Sequence, residues 1–407
     1  MIVLRNCHLI PEFTEEYSGN MADVLIENGV IARIEPCGYA FDAAVSYDLG
    51  GKTLMPGMYD LHTHIQYTGY GDMHDGGRDD YQITLDAIKH AQACLYAGFT
   101  TLRDSGGIPH LNSHIKEYFE EGHITGPNLI VCGMLMSPTE LGNKVNTWAS
   151  RTVHEVDTAE TIRIGVRQEV RNGADYIKYV ASGSISMKGS DPKRPISTFE
   201  EIRTLVEEAA FKGRYVGAHC HDSSSIARCI KAGVYTIEHA SVLDDECIQL
   251  LKQQTSFIIP TLLGASMIRE AKGTMPAYAA YFKRSAADEI RAASFTSYQR
   301  GYEEGLLMGL GTDMGMPNQF HGDNAKELIY RKKYSDVPAI EILKEATINS
   351  ATILKEQDRR GTVKVGKIAD LIVVDGNPVE DISCMYGKID MVIKAGKIVK
   401  NKEEKLC

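Results

Sequence analysis

The sequence predicts an α/β fold: a (β/α)8 TIM barrel with a small β-sandwich domain built from both termini. Three observations predict it. With 407 residues the chain can bury a large core, and it suits one barrel plus an accessory domain. A long middle region alternates strand-like apolar runs with helical windows, the rhythm of a parallel sheet. The two ends lack that rhythm and alternate short apolar runs with turns.

At the N-terminus, Ile2-Val3-Leu4, Val24-Leu25-Ile26, Ile31-Ala32-Arg33-Ile34 and Ser46-Tyr47-Asp48-Leu49 read as short strands. Asn28-Gly29 between two of them is a hairpin signal, because a tight two-residue turn needs residues that tolerate positive φ. The C-terminal runs 369–375 and 391–399 have the same texture. Paired together, the ends form a composite β-sandwich domain over residues 1–55 and 358–407, around a barrel domain over 56–357.

Within the middle, strand-like runs fall at 53–59, 100–103, 128–132, 176–180, 215–219, 235–238, 256–260 and 306–310, which makes eight. Helical windows at 81–96, 158–171, 199–211 and 224–230 separate several of them. In the third window Ile202, Leu205, Val206, Ala209 and Ala210 recur at helical spacing, with Glu200, Glu201, Glu207 and Glu208 left for solvent. Ser197 or Thr198 supplies its N-cap.

Composition narrows the function classes. Hydrophobic content of 43% and charged content of 24% are those of a soluble globular protein. A formal charge of −10 without a Lys/Arg stripe argues against nucleic acid as a partner. The nine cysteines are scattered and form no Cys-x-x-Cys pair, so they read as reduced, buried side chains. No basic leader precedes a long apolar run, and no stretch of about eighteen apolar residues occurs, so a cytoplasmic location away from membranes is expected.

Catalytic groups of a barrel come from the C-terminal ends of its strands. Those ends carry His62 and His64, Arg103 and Asp104, His219 and His221, His239, and Thr312-Asp313, while Lys178 lies within the fourth run. On an extended backbone His62 and His64 leave the same face, a geometry that suits a metal. A lone His-x-His is weak, but histidines at three strand ends with a Gly-Thr-Asp at the last point jointly to a metal site. Lys178 would aim into the barrel mouth, where burial lowers an amine's pKa and a neutral amine can take up CO2 as a carbamate. Spacing alone favours an ordinary salt-bridged lysine.

Resemblance goes further. The chain resembles the amidohydrolase superfamily, in its imidazolonepropionase-like and prolidase-like branch, essentially from end to end. The likeness is carried by Pro56-Gly57-Met58-Tyr59-Asp60-Leu61-His62-Thr63-His64, Gly98-Phe99-Thr100-Thr101-Leu102-Arg103-Asp104, Ala174-Asp175-Tyr176-Ile177-Lys178, Gly217-Ala218-His219-Cys220-His221, Thr236-Ile237-Glu238-His239, Gly311-Thr312-Asp313 and Gly366-Lys367-Ile368-Ala369-Asp370. It implies two Zn2+ ions per chain: His62, His64 and Asp313 on one, His219 and His239 on the other, and a CO2-derived carbamate on Lys178 bridging both. It also implies that Asp313 moves the proton, that a small peptide or N-acyl amino acid is the substrate, and that the chain forms a homo-oligomer. Overall similarity is greatest to the zinc-dependent arginine carboxypeptidases, which implies cleavage before a C-terminal Arg or Lys. Alternatives on the same site are a prolidase-like or apolar-residue carboxypeptidase and a cyclic amide or lactone hydrolase. An inactive barrel scaffold is the non-enzyme alternative, and the full ligand set argues against it.

For the substrate carboxylate the candidates are Arg103, His221 and His321, with a structural ion pair as the other reading of Arg103. Relatives often carry Gly-Gly-His after the third strand, whereas this chain reads Met136-Ser137-Pro138-Thr139-Glu140-Leu141-Gly142-Asn143, leaving Glu140 as a partner for a cationic side chain. The glycine-rich run 69–77 reads as a lid loop in preference to His74 as a further ligand. Cys220, between His219 and His221, reads as core.

Overall fold

Strands from both ends of the chain hydrogen-bond into one sheet. The computed structural model describes residues 1–42, 45–70, 78–141, 149–185, 190–253, 256–264, 266 and 284–402. Five strands come first: β1 (Ile2–Leu9), β2 (Met21–Glu27), β3 (Val30–Glu35), β4 (Val45–Asp48) and β5 (Thr53–Pro56). The two-residue turn between β2 and β3 holds Asn28 at φ 50° and Gly29 at φ 84°, the left-handed pair that tight hairpins demand.

The middle contributes β6 (Met58–Thr63), β7 (Phe99–Asp104), β8 (Asn128–Ile130), β9 (Leu135–Ser137), β10 (Val153–Glu155), β11 (Ile177–Val180), β12 (Val216–Cys220), β13 (Thr236–His239) and β14 (Phe257–Ile259). The C-terminus adds β15 (Leu371–Val374), β16 (Ile389–Lys394) and β17 (Lys397–Asn401). The terminal strands form one eight-stranded mixed sheet in the order β17-β16-β15-β5-β1-β2-β3, with β4 on β1. A sandwich of two facing sheets was expected. Strand pairing instead runs continuously, because β5 is parallel to β1 on one side and antiparallel to β15 on the other. Leu4, Val24, Ile31, Leu54, Leu371 and Ile393 from both ends share a core of their own.

The middle strands are parallel, as α/β alternation requires. They pair as a three-stranded sheet, β6-β7-β8, and a six-stranded sheet, β10-β9-β11-β12-β13-β14. Strand pairing does not draw the single closed ring of eight that was expected. The third expected strand is split into β8 and β9, with Gly133 at φ 74° between them. The eighth, at 306–310, is not a regular strand. It joins the two sheets through isolated parallel bridges, Ile258 to Met308 and, further along, Thr63 to Met314. Asp313 at φ 61° interrupts any longer ladder there.

Three of the helices open on capping boxes, in which a side-chain oxygen and the third residue each satisfy an otherwise orphaned N–H. They are Asp80–Tyr96 (Asp79 with Gln82), Ala159–Arg171 (Thr158 with Thr161) and Phe199–Phe211 (Thr198 with Glu201). Of the two candidates before the last helix, Thr198 is the cap, and Ser197 donates to the Tyr179 hydroxyl at 3.0 Å. Ile202, Leu205 and Ala209 bury the face that periodicity marked out. Among the described residues no helix is long and apolar enough to cross a membrane.

Candidate active site

The strand ends converge on two neighbouring clusters. His62 ends β6 with His64 just beyond, and both present Nε2 to Asp313 Oδ1, at 3.3 and 3.4 Å. His219 in β12, His221 after it and His239 at the end of β13 form the second cluster. Within each trio the potential ligand atoms lie within 4.8 Å of one another. The clusters touch through His62 and His239, whose ring centroids are 4.7 Å apart. His239 (φ 66°) and Asp313 (φ 61°) are both held left-handed, a conformation costing a non-glycine residue of order 1–3 kcal/mol, which the surrounding packing sustains. All six side chains and Lys178 line one pocket of about 870 Å3, its open mouth included.

One ring nitrogen of each histidine is engaged, which orients the ring and leaves the other for the cavity. His62 Nδ1 lies 2.8 Å from Glu238 Oε2, His221 Nδ1 2.8 Å from Ser241 Oγ, and His239 Nδ1 2.7 Å from Thr261 Oγ1. His64 Nδ1 faces the Gly106 carbonyl at 3.4 Å, and His219 Nε2 that of Gly183 at 3.3 Å. Burial holds the His219 and His239 imidazoles well below their ordinary pKa and pushes His221 down to about 4. Burial also lowers the Lys178 amine. It opposes charge on Asp313 as well, but hydrogen bonds from His62 and His64 outweigh it and hold that carboxyl well below the usual range. The site thus offers imidazoles biased toward neutrality at His219, His221 and His239, one carboxylate and an amine biased toward its neutral form.

Two buried polar atoms here have no hydrogen-bond partner among the described residues, Lys178 Nζ and His221 Nε2. Such orphans cost about 1–3 kcal/mol each unless something satisfies them. A pair of divalent cations fits this donor set, since imidazole nitrogen and carboxylate oxygen are zinc ligands.

Other expected contacts lie elsewhere. Arg103 is fully buried, with its donors spent on the Leu61 carbonyl, Thr236 and Glu238. It is not among the pocket residues, so the ion-pair reading replaces the substrate-carboxylate one. His321 also lies off the pocket. Its Nε2 meets the Tyr67 carbonyl at 2.9 Å and its ring stacks on His90. His221 does line the pocket. Cys220 is buried beside Cys229, Sγ to Sγ 3.5 Å, in the core. Residues 71–77, with His74 and most of the expected lid, lie outside the described residues, as does the Glu140 side chain.

Two carboxylates that shape the site were missed. Asp60 accepts from the His62 and Thr312 amides, the Thr312 hydroxyl and the Asn324 amide, tying β6 to the approach to Asp313. Glu238 holds His62. Each lay in plain view: Asp60 shares its strand face with His62, and Glu238 immediately precedes His239.

The family model described as the amidohydrolase family matches residues 53–399, which include every residue of both clusters. The chain belongs to the amidohydrolase family. It is a metal-binding hydrolase. Ochratoxinase of Aspergillus niger is 28% identical over 382 residues, covering 85% of this amidohydrolase and 75% of that protein. Imidazolonepropionase of Thermoplasma acidophilum is 22% identical over 411 residues, covering 92% and 88%. Among solved structures, a Xaa-Pro dipeptidase with methionine bound in its active site superposes with a TM-score of 0.88 at 26% identity, covering 98% of this chain and 100% of that one. A prolidase complexed with N-methylphosphonate-L-proline gives 0.87 at 26% identity, covering 98% and 99%.

Proposed function

We propose that this amidohydrolase cleaves the amide bond before the C-terminal residue of a dipeptide or N-acyl amino acid, on a binuclear zinc site. The observation that carries the reading is the pair of adjacent trios sharing one cavity with a buried, unpartnered Lys178 amine. His62, His64 and Asp313 would hold one ion, His219 and His239 the other, and Lys178 both, once its amine has bonded to the carbon of CO2 and released a proton. Bound zinc supplies a Lewis acid for the substrate carbonyl and lowers the pKa of water toward neutrality.

The chain's own residues do the rest. Asp313 is the carboxylate poised to accept a proton from the attacking water and return it to the leaving amine. His221 offers Nε2 as a contact for the substrate. Around the clusters the described walls are apolar, with Leu135, Leu141, Val153, Ile290 and Met316, and a set of hydroxyl side chains completes them. Those walls limit water around the reacting bond. The accessory domain of residues 1–55 and 358–407 and the hydrolase domain of 56–357 are the proposed division of the chain.

Side-chain preference is where the proposal departs from the sequence reading. Among the described lining residues the only carboxylate is Asp313, so a buried guanidinium or ammonium would find no partner of its own. An apolar or prolyl C-terminal residue suits these walls better than Arg or Lys. The prolidase among its structural neighbours is compatible with that. A dipeptide library varied at the C-terminal residue tests it, alongside metal analysis expected to find about two zinc ions per chain. Preferential cleavage of Xaa-Arg and Xaa-Lys would refute the side-chain reading, and absence of amide hydrolysis across the library would refute the reaction.

A further inference from the structure

Beneath the metal-binding clusters lies a buried ion pair that the chemistry above does not use. Arg103 in β7 and Glu238 in β13 are both fully buried, and Arg103 Nη2 donates to Glu238 Oε1 at 2.8 Å. The same Glu238 oxygen accepts from Thr236 Oγ1 at 2.8 Å, and its other oxygen meets His62 Nδ1 at 2.8 Å. Arg103 Nε meanwhile donates to the carbonyl of Leu61, the residue before His62, at 2.6 Å. The guanidinium carbon sits 5.0 Å from the Tyr176 ring centroid. His62 is thus gripped twice, through its preceding backbone by Arg103 and through its imidazole by Glu238.

An ion pair so completely removed from water has no obvious value for stability, since desolvating two charges consumes much of their attraction. The fold nonetheless makes room for it. A Cβ on Gly217 in β12 would stand 2.8 Å from both Glu238 Oε1 and Thr236 Oγ1, so only glycine leaves space for the carboxylate. β7 belongs to the three-stranded parallel sheet and β13 to the six-stranded one, so the pair also ties the two sheets together at the level of the site.

We infer that Arg103 and Glu238 are positioning residues that fix the orientation of the His62 ring, with Nδ1 held by Glu238 and Nε2 presented beside Asp313 as a metal-ligand atom. The inference rests on the reading of His62 as a metal ligand. Glu238 Oε2 engages His62 Nδ1, so Nε2 is the ring nitrogen left to a metal ion. Arg103 anchors the other oxygen of that carboxylate and keeps it from turning into the cavity. Partners of this kind typically contribute 10–100-fold to metal affinity.

The test compares wild type with Glu238→Gln by zinc titration under chelator competition and by metal-free melting temperature. Expected are a roughly ten- to hundredfold weaker zinc step and a lowered metal-free melting temperature, since Arg103 is left buried without its carboxylate. Gly217→Ala, which keeps both charges but intrudes on the carboxylate, is the second variant and should weaken the same zinc step. Unchanged zinc affinity in both Glu238→Gln and Gly217→Ala would overturn the inference while leaving the metal site standing. Failure of wild type to bind zinc at all would overturn both.

Discussion

Replacing Lys178 by Met sets stability against function. Lys178 is 2% exposed, and among the described residues its Nζ has no hydrogen-bond partner, while burial presses the amine toward neutrality. A buried polar atom in that state costs about 1–3 kcal/mol, and a methionine of similar length fills the same space without a polar head. The metal-free Lys178→Met protein should therefore be more stable than metal-free wild type by up to about 1–3 kcal/mol. With zinc the order should reverse, because wild type gains about 2.7 kcal/mol at a hundredfold excess over its dissociation constant and the variant forfeits much of that. Paired urea titrations, with chelator and with zinc, read both effects, and amidase assays should find the variant inactive. In Lys178→Ala, added short carboxylic acids should restore part of the activity by standing in for the carbamate oxygens. A metal-free Lys178→Met protein less stable than wild type would refute the reasoning, since the amine would then be making a favourable interaction.

His221→Ala should raise KM while two zinc ions remain bound, because Nδ1 is tied to Ser241 and Nε2 is the atom offered to the substrate. Loss of one zinc would instead make His221 a ligand alongside His219 and His239, with which it clusters. Glu15 joins the N-terminal segment to the C-terminal one through the Thr362 hydroxyl, Lys364 and Lys367. The Thr362 hydrogen bond first, and then the two lysines, hold its carboxyl down at about 2. Since the folded value lies below the unfolded one, the stabilisation is present above about pH 5 and disappears as pH falls toward the folded value. Solvent exposure keeps it small, at about 1 kcal/mol. Glu15→Gln should lose that margin near neutrality, with the difference from wild type narrowing in acid. A gap that stays constant from neutral to acid pH in urea titrations would refute the assignment.

Local chemistry was readable where it is short-range. Asn28-Gly29 makes the turn its residue types require, and Thr198 caps its helix, because both effects are confined to a few neighbouring residues. The clustering of His62, His64 and Asp313 was legible for another reason: parallel strands put their C-terminal ends together, so strand order implies proximity. Partner choice stayed open. Arg103 read either as a substrate contact or as half of a structural ion pair, because an arginine at a strand end is ambiguous until the element opposite it is known. That element is β13, 135 residues further along the chain, bringing Glu238. The expected eighth strand failed, since the left-handed Asp313 and single bridges replace the ladder its apolar run suggested.

From residue types and spacing alone come the α/β alternation, the β-rich character of both termini, and the strand ends that carry imidazole and carboxylate. These follow because periodicity, turn chemistry and strand polarity act along the chain and leave marks in its order. Only the folded chain decides which nitrogen of each histidine is free, that Asp60 and Glu238 hold the site in shape, that Lys178 and His221 are left without partners, and that the described walls of the pocket are apolar. Those depend on distances between residues far apart in sequence, where a shift of an ångström separates a hydrogen bond from none.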